Sequence, residues 1–312
     1  MRNLLCLLLL LFCGASAFAN KVDELKTDSD VVKFIQPLQE SFNYKDAPKL
    51  IMYSSEELIK RHSCDSLAGT WHIKNWEKVD FNNDNKTDLL AIINWYNTDC
   101  NFIAIDKGNN TFQLIQIGGS SYENCQLANT IRYAGQQMVV LHTWSSTRPG
   151  HKNAKWISRT DTLTYKYGDF LEFNKEPAHY KIDSIIYKTE PCFGTCPVFK
   201  IEIDHKGKAK YDRTNPNIIF ILKPGEKIKN IFKMVIKKPD LEELYKFLGY
   251  INIKKLNENY AVRWTDDATA IIYIKFSDGS VKTIKDYGLK GTFGLLALYK
   301  RFYALTKSSD WK

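Results

Sequence analysis

The chain has little histidine, six residues in 312, and no G-x-S-x-G nucleophile elbow, H-E-x-x-H zinc motif or G-x-x-x-x-G-K phosphate loop. These absences remove the sequence-local signatures of serine hydrolases, zinc proteases and nucleotide-binding enzymes. The histidines, His62, His72, His142, His151, His179 and His205, are scattered without ligand spacing and read as surface or satisfied core residues. Long apolar runs are also missing. The one candidate, Leu4 to Phe12, is short of the roughly 20 residues that span a bilayer. No transmembrane segment is expected.

That short run belongs to a different signal. Arg2 gives a basic start, the apolar stretch follows, and small residues end in Ala17-Phe18-Ala19, the three-part pattern of a secretory signal peptide. Residues 1–19 are therefore expected to be removed, with the mature chain starting at Asn20 and residing in the periplasm or outside the cell. Cys13 sits where a lipoprotein keeps its acylated cysteine, but Phe12 precedes it where a small residue is wanted. Soluble release is the expectation.

Of the seven cysteines, Cys6 and Cys13 leave with the signal. Cys64, Cys100, Cys125, Cys192 and Cys196 remain in an oxidising compartment, where thiols tend to pair. An odd number leaves one thiol over, buried or paired with another chain. Which of Cys64, Cys100 and Cys125 it is stays open.

The mature length exceeds the usual single domain, so two modules are expected. Residues 181–312 hold 25 Lys and Arg against 15 Asp and Glu, whereas the first 180 residues are near neutral with 19 against 20. The change falls near Asn174-Lys175-Glu176-Pro177-Ala178, which reads as a linker. This gives modules at 20–175 and 176–312. The fold class expected is α+β. N-terminal helices (Ser29 to Phe42, interrupted by Pro37, and one capped by Ser54 and Glu57) precede a mostly antiparallel β unit. A smaller α+β module follows, with hairpins, a helix from Pro239 or Asp240 to Leu248, and a C-terminal helix from Phe293 to Leu305.

The most specific chemistry lies in Asp80-Phe81-Asn82-Asn83-Asp84-Asn85-Lys86-Thr87-Asp88. Calcium takes six to eight hard oxygen ligands. Asp80, Asn82, Asp84 and Asp88 place side-chain oxygens at positions 1, 3, 5 and 9, and the Lys86 carbonyl supplies position 7. Asn85 stands where glycine is usual, at a position needing φ > 0. An EF-hand is excluded by Ala91 at position 12. The segment resembles the calcium loop of FG-GAP and related integrin-type repeats, which implies a structural calcium between two strands. The alternative is an Asn- and Asp-rich turn that binds nothing.

Pro191-Cys192-Phe193-Gly194-Thr195-Cys196-Pro197 places two thiols four positions apart around a glycine, a spacing that closes a small covalent loop. A Cys192–Cys196 disulfide is expected, with a redox-active pair or a metal site as the alternatives. Together with Phe199-Lys200-Ile201-Glu202-Ile203, the Gly207 turn and Trp264-Thr265-Asp266-Asp267-Ala268-Thr269, the motif resembles an uncharacterised bacterial domain family. It covers roughly residues 180–310 and typically occurs in exported chains. The resemblance implies a compartment and is silent on any reaction. Asp266 and Asp267 read as a turn rather than an acid pair.

Lys223, Lys227, Lys229, Lys233, Lys237 and Lys238 surround Ile228, Ile231, Phe232 and Val235. Export argues against nucleic acid as their partner; the readings left are a solvated lysine face or a weak contact with anionic surfaces. The function expected is that of an exported non-catalytic protein with a binding or structural role in the cell envelope. The alternative is an extracytoplasmic enzyme, either a thiol-disulfide oxidoreductase using Cys192 and Cys196 or a hydrolase assembled from distant residues.

Overall fold

The computed structural model describes residues 20–61, 69–118, 125–146, 156–213 and 230–312. The expected signal peptide, Cys64, and Lys223, Lys227, Ile228 and Lys229 of the basic stretch lie outside the described residues. The chain divides into two compact units at Lys166/Tyr167. Both are α+β, built on mostly antiparallel sheets.

The first unit opens with helix α1 (Asp28–Ile35), whose start is set by a capping box. Thr27 Oγ1 accepts the Asp30 N–H, and the Asp30 carboxylate accepts the Thr27 N–H. These bonds hold the Asp30 carboxyl below its usual value. The helix expected to reach Phe42 stops instead at Ile35 and continues as 3-10 turns at Gln36–Leu38 and Glu40–Asn43. Pro37 explains this, because it cannot donate to the preceding turn and its ring crowds the carbonyl four residues back. Helix α2 (Ser55–Arg61) starts at the expected box, Ser54 N–H to Glu57 Oε2 and Glu57 N–H to Ser54 Oγ.

Strands β1 (Trp76–Val79), β2 (Asp88–Trp95), β3 (Thr98–Asp106) and β4 (Phe112–Ile117) pair antiparallel in that order. The central strands β2 and β3 are covered on both faces, which is why Leu89 to Ile93 is an unbroken apolar run rather than an alternating one. Leu89, Ala91, Ile93, Phe102 and Ala104 pack against Val31, Ile35 and Phe42. Strands β5 (Cys125–Tyr133), β6 (Gln136–Ser146) and β7 (Trp156–Lys166) form a second antiparallel run. Asn101 of β3 joins it to the first, accepting from Ala128 N–H and donating to the Gln126 carbonyl.

The second unit begins with the short strand β8 (Asp169–Glu172). Strands β9 (Ile182–Glu190), β10 (Lys200–Asp204), β11 (Lys208–Asp212), β12 (Ile231–Val235), β13 (Asn259–Ala261), β14 (Thr269–Phe276) and β15 (Val281–Tyr287) form one sheet. Its order is β12-β11-β10-β9-β14-β15-β13, antiparallel except for the β13–β15 pair. Helices α3 (Lys238–Tyr250) and α4 (Phe293–Thr306) cover one face. Ile185, Tyr187, Ile201, Ile203, Ile272, Ile274 and Ile284 alternate inward to meet Leu241, Phe247, Leu248, Leu295, Leu298 and Phe302. Short strands β1, β8, β12 and β13 and the long β7 escape recognition in the sequence, the short ones for want of length and β7 because Thr, Ser and Arg interrupt its apolar alternation.

Asn174 to Ala178, read as a linker, is tied to α3. Asn174 donates to the Tyr250 carbonyl at 2.5 Å, and Ala178 N–H donates to the Gly249 carbonyl at 3.1 Å. A Cβ on Gly249 would collide with the Ala178 carbonyl oxygen, so this approach requires glycine. Among the described residues no helix is long and apolar enough to cross a membrane.

Candidate functional site

The Asp80–Asp88 loop joins β1 to β2, with Val79 paired to Asp88 at its base. Its curvature comes from two left-handed residues, Asn83 (φ 57°) and Asn85 (φ 62°), which asparagine tolerates. Three of the expected ligands gather around the loop's own backbone. Asp84 N–H donates to Asp80 Oδ1 (3.2 Å) and Asn82 Oδ1 (3.1 Å), and Asn85 N–H to Asp80 Oδ2 (2.9 Å). Asp84 Oδ1 accepts Lys86 N–H, and Lys86 Nζ lies 3.2 Å from Asp84 Oδ2.

Asp88 is placed differently. It is fully buried, accepting Phe81 N–H on Oδ2 (2.9 Å) and Asp106 N–H on Oδ1 (2.8 Å). Burial pushes its carboxyl up to about 7, and the negative charges of Asp80 and Asp84 push the same way. Among the described residues no three His, Cys, Asp or Glu side chains converge as a metal-holding group. A carboxylate offers about four lone-pair directions, so the two N–H bonds leave Asp88 with acceptor capacity to spare.

In the second unit, Cys192 and Cys196 are bonded to each other. The loop they close connects β9 to β10 and holds Phe193 outward, 87% exposed. Phe193 N–H donates to the Asp266 carbonyl at 3.2 Å. Asp266 is itself left-handed (φ 74°), and Asp267 Oδ2 accepts the Trp264 indole N–H at 2.8 Å. The Trp264 to Thr269 stretch is thus a turn that braces the stapled loop from the other side of β9. Its two acids point to separate partners.

Cys125 is also disulfide-bonded. Cys100 is a buried thiol, donating weakly to the Thr98 carbonyl, and burial pushes it up to about 12. His142 stacks on Trp71 with centroids 4.4 Å apart, and its Nε2 lies 2.9 Å from Asn129 Oδ1; burial lowers its pKa. In β12, Ile231, Lys233 and Val235 face outward while Met234 packs on the core and Phe232 stacks on Tyr211. The uncovered face of the second sheet carries a shallow depression of about 390 Å³ lined by Ile186, Lys188, Lys200, Ile271, Tyr273 and Thr283. Its lysines are engaged, Lys188 with Glu190 and Lys200 with Glu202.

Sequence reasoning singled out the cysteine motif and the acidic loop. It missed Asp106, Asn20, Glu172 and Asp286 as polar anchors, because nothing local distinguishes them from surface residues.

The geometry of the second unit defines a helix-covered antiparallel sheet with a stapled loop at one end. Residues 183–306 match a family described as a domain of unknown function (DUF6438), consistent with an uncharacterised domain family over the C-terminal region. The match covers less than half of the chain. Comparison with curated proteins and with solved structures gives no match.

Proposed function

We propose that the chain is exported with loss of residues 1–19 and acts outside the cytoplasm as a non-catalytic binding protein of the cell envelope, presenting the Cys192–Cys196 loop to a partner. The observation that carries this reading is Phe193, 87% exposed at the tip of a covalently closed loop. A flexible loop would fold a phenylalanine back onto apolar surface. The disulfide and the Asp266 bond hold it out, and an aromatic ordered in advance loses little entropy on docking. Two disulfide-bonded segments, at Cys192–Cys196 and at Cys125, agree with an oxidising compartment.

In the same proposal Asp80, Asn82, Asp84, Asp88 and the Lys86 carbonyl hold a structural calcium ion. What supports this reading is that the Asp80 and Asn82 side-chain oxygens turn in over the loop's own Asp84 and Asn85 N–H groups, and that the charges of Asp80 and Asp84 add to the burial that raises Asp88, an addition a bound cation would offset. The ion would stiffen the β1–β2 turn. Outward Lys233 would make at most a weak contact with anionic surfaces.

The test is site-specific photocrosslinking of the purified chain to isolated envelope material, with the probe replacing Phe193 or, as a control, the exposed Tyr303. One discrete adduct from position 193 alone is expected. Identical patterns from both positions would overturn the binding role. Fractionation of cells making the full chain and a chain lacking residues 1–19 checks export; retention of the full chain in the cytoplasm would overturn it.

A further inference from the structure

Asn20, where the expected mature chain begins, is not a loose end. It is 6% exposed, and the next inward residue, Val22, is fully buried. Its side chain uses its whole hydrogen-bonding capacity. Oδ1 accepts Val22 N–H (2.8 Å) and Asp23 N–H (3.3 Å), while Nδ2 donates to the Thr87 carbonyl (2.7 Å) and to Asp106 Oδ2 (2.6 Å). The backbone nitrogen of Asn20 lies 2.9 Å from Asp23 Oδ2, and Asp23 Oδ1 accepts the Thr87 hydroxyl at 2.6 Å. Asn20, Asp23 and Thr87 thus form a closed ring that grips the last residues of the acidic loop, with Lys78 Nζ fastened to the Asp23 carbonyl beside it.

We propose that this ring is the seat of a free N-terminus: once the chain begins at Asn20, its α-ammonium pairs with the Asp23 carboxylate and clamps the Asp80–Asp88 loop. The inference rests on the export reading. In the reaction, catalysed by a hydrolase of the signal-peptidase class, the Ala19 C–N bond breaks. The water oxygen goes to the Ala19 carboxyl group, and the Asn20 nitrogen gains protons to become an ammonium. Before cleavage that nitrogen is an amide with one hydrogen, which is given to Asp23. After cleavage it is a cation with three hydrogens beside the Asp23 carboxylate. The bond to the Asp23 carboxylate is charge-assisted already, and a cationic donor adds the attraction between two opposite charges. Cleavage would therefore complete the first unit as well as release it.

The experiment compares thermal midpoints of two chains, one beginning at Asn20, freed from a fusion without extra residues, and one carrying a Gly-Ser extension, each with and without Asp23→Asn. A midpoint about 2–4 °C higher for the free Asn20 form is expected, with the difference vanishing in Asp23→Asn. Equal midpoints, or a difference that persists in Asp23→Asn, overturn the clamp. Intact mass of the exported protein is read separately. A start at Asn20 supports the site, and any other start overturns it while leaving export standing. An uncut chain inside the cell overturns the export reading itself, which the midpoint comparison does not depend on.

Discussion

The Tyr299 hydroxyl donates to Asp286 Oδ2 at 2.9 Å in the core of the second unit, where Asp286 is fully buried. Lys290 N–H and Gly291 N–H complete the shell, so a β15 carboxylate ties the turn before α4 to the helix itself. Tyr299→Phe removes one of these donors and leaves a buried acceptor short. A loss of about 1–3 kcal/mol is expected, read as a lower urea midpoint with unchanged slope.

The same carboxylate sets a pH dependence. Burial raises Asp286 above 3.8, against the lowering effect of its three hydrogen bonds. A group raised in the folded state favours folding fully below its unfolded value, and loses that contribution as pH rises through the folded value. The stability of the native chain relative to Asp286→Asn should therefore fall as pH rises from 3.8 toward neutrality. A difference that stays flat over urea titrations in that window would rule out a desolvated carboxylate.

Glu172 of β8 caps α4 from 121 residues away: its Oε1 accepts Phe293 N–H (2.6 Å) and its Oε2 accepts Gly294 N–H (2.9 Å). Thr292 Oγ1 takes Leu295 N–H. A carboxylate at a helix N-terminus also meets the positive end of the helix dipole. Glu172→Ala should cost about 1–2 kcal/mol, and Glu172→Gln less, in chemical denaturation.

For the acidic loop, thermal unfolding in millimolar calcium and in chelator is expected to show a higher midpoint with calcium, absent in Asp84→Ala. No calcium response in the native chain would leave residues 80–88 as a turn held by its own asparagine and aspartate bonds, which already close it without a metal.

Thiol chemistry separates the structural and redox readings of the cysteines. Cys100, buried and pushed up to about 12, should react with a thiol reagent only after denaturation, and Cys100→Ala should remove that signal. Replacing Cys192 and Cys196 with serine opens a five-residue loop, for which loop entropy predicts a loss of about 2 kcal/mol. A structural bridge should have a reduction potential below about −300 mV; a value well above it would favour the oxidoreductase.

The sequence alone determined what depends on neighbours along the chain. The Ser54–Glu57 capping box, the turn between β14 and β15, the Cys192–Cys196 closure and the near-complete extent of α4 all rest on contacts a few residues apart. Pro37 marked where α1 weakens, though not that it ends at Ile35. Tertiary structure decided which polar residues go inside. Asp106, Asp286, Glu172 and Asn20 look locally like any other surface side chains, and the burial of Asp88 is not legible in the loop's spacing. Glu172, Asp106 and Asn20 became anchors because residues far along the chain brought them N–H groups or polar side chains, and Asp286 because the turn before α4 folds its N–H groups back and α4 adds Tyr299. A carboxylate or amide can be buried only when such partners are supplied, and no spacing rule shows where the fold will supply them.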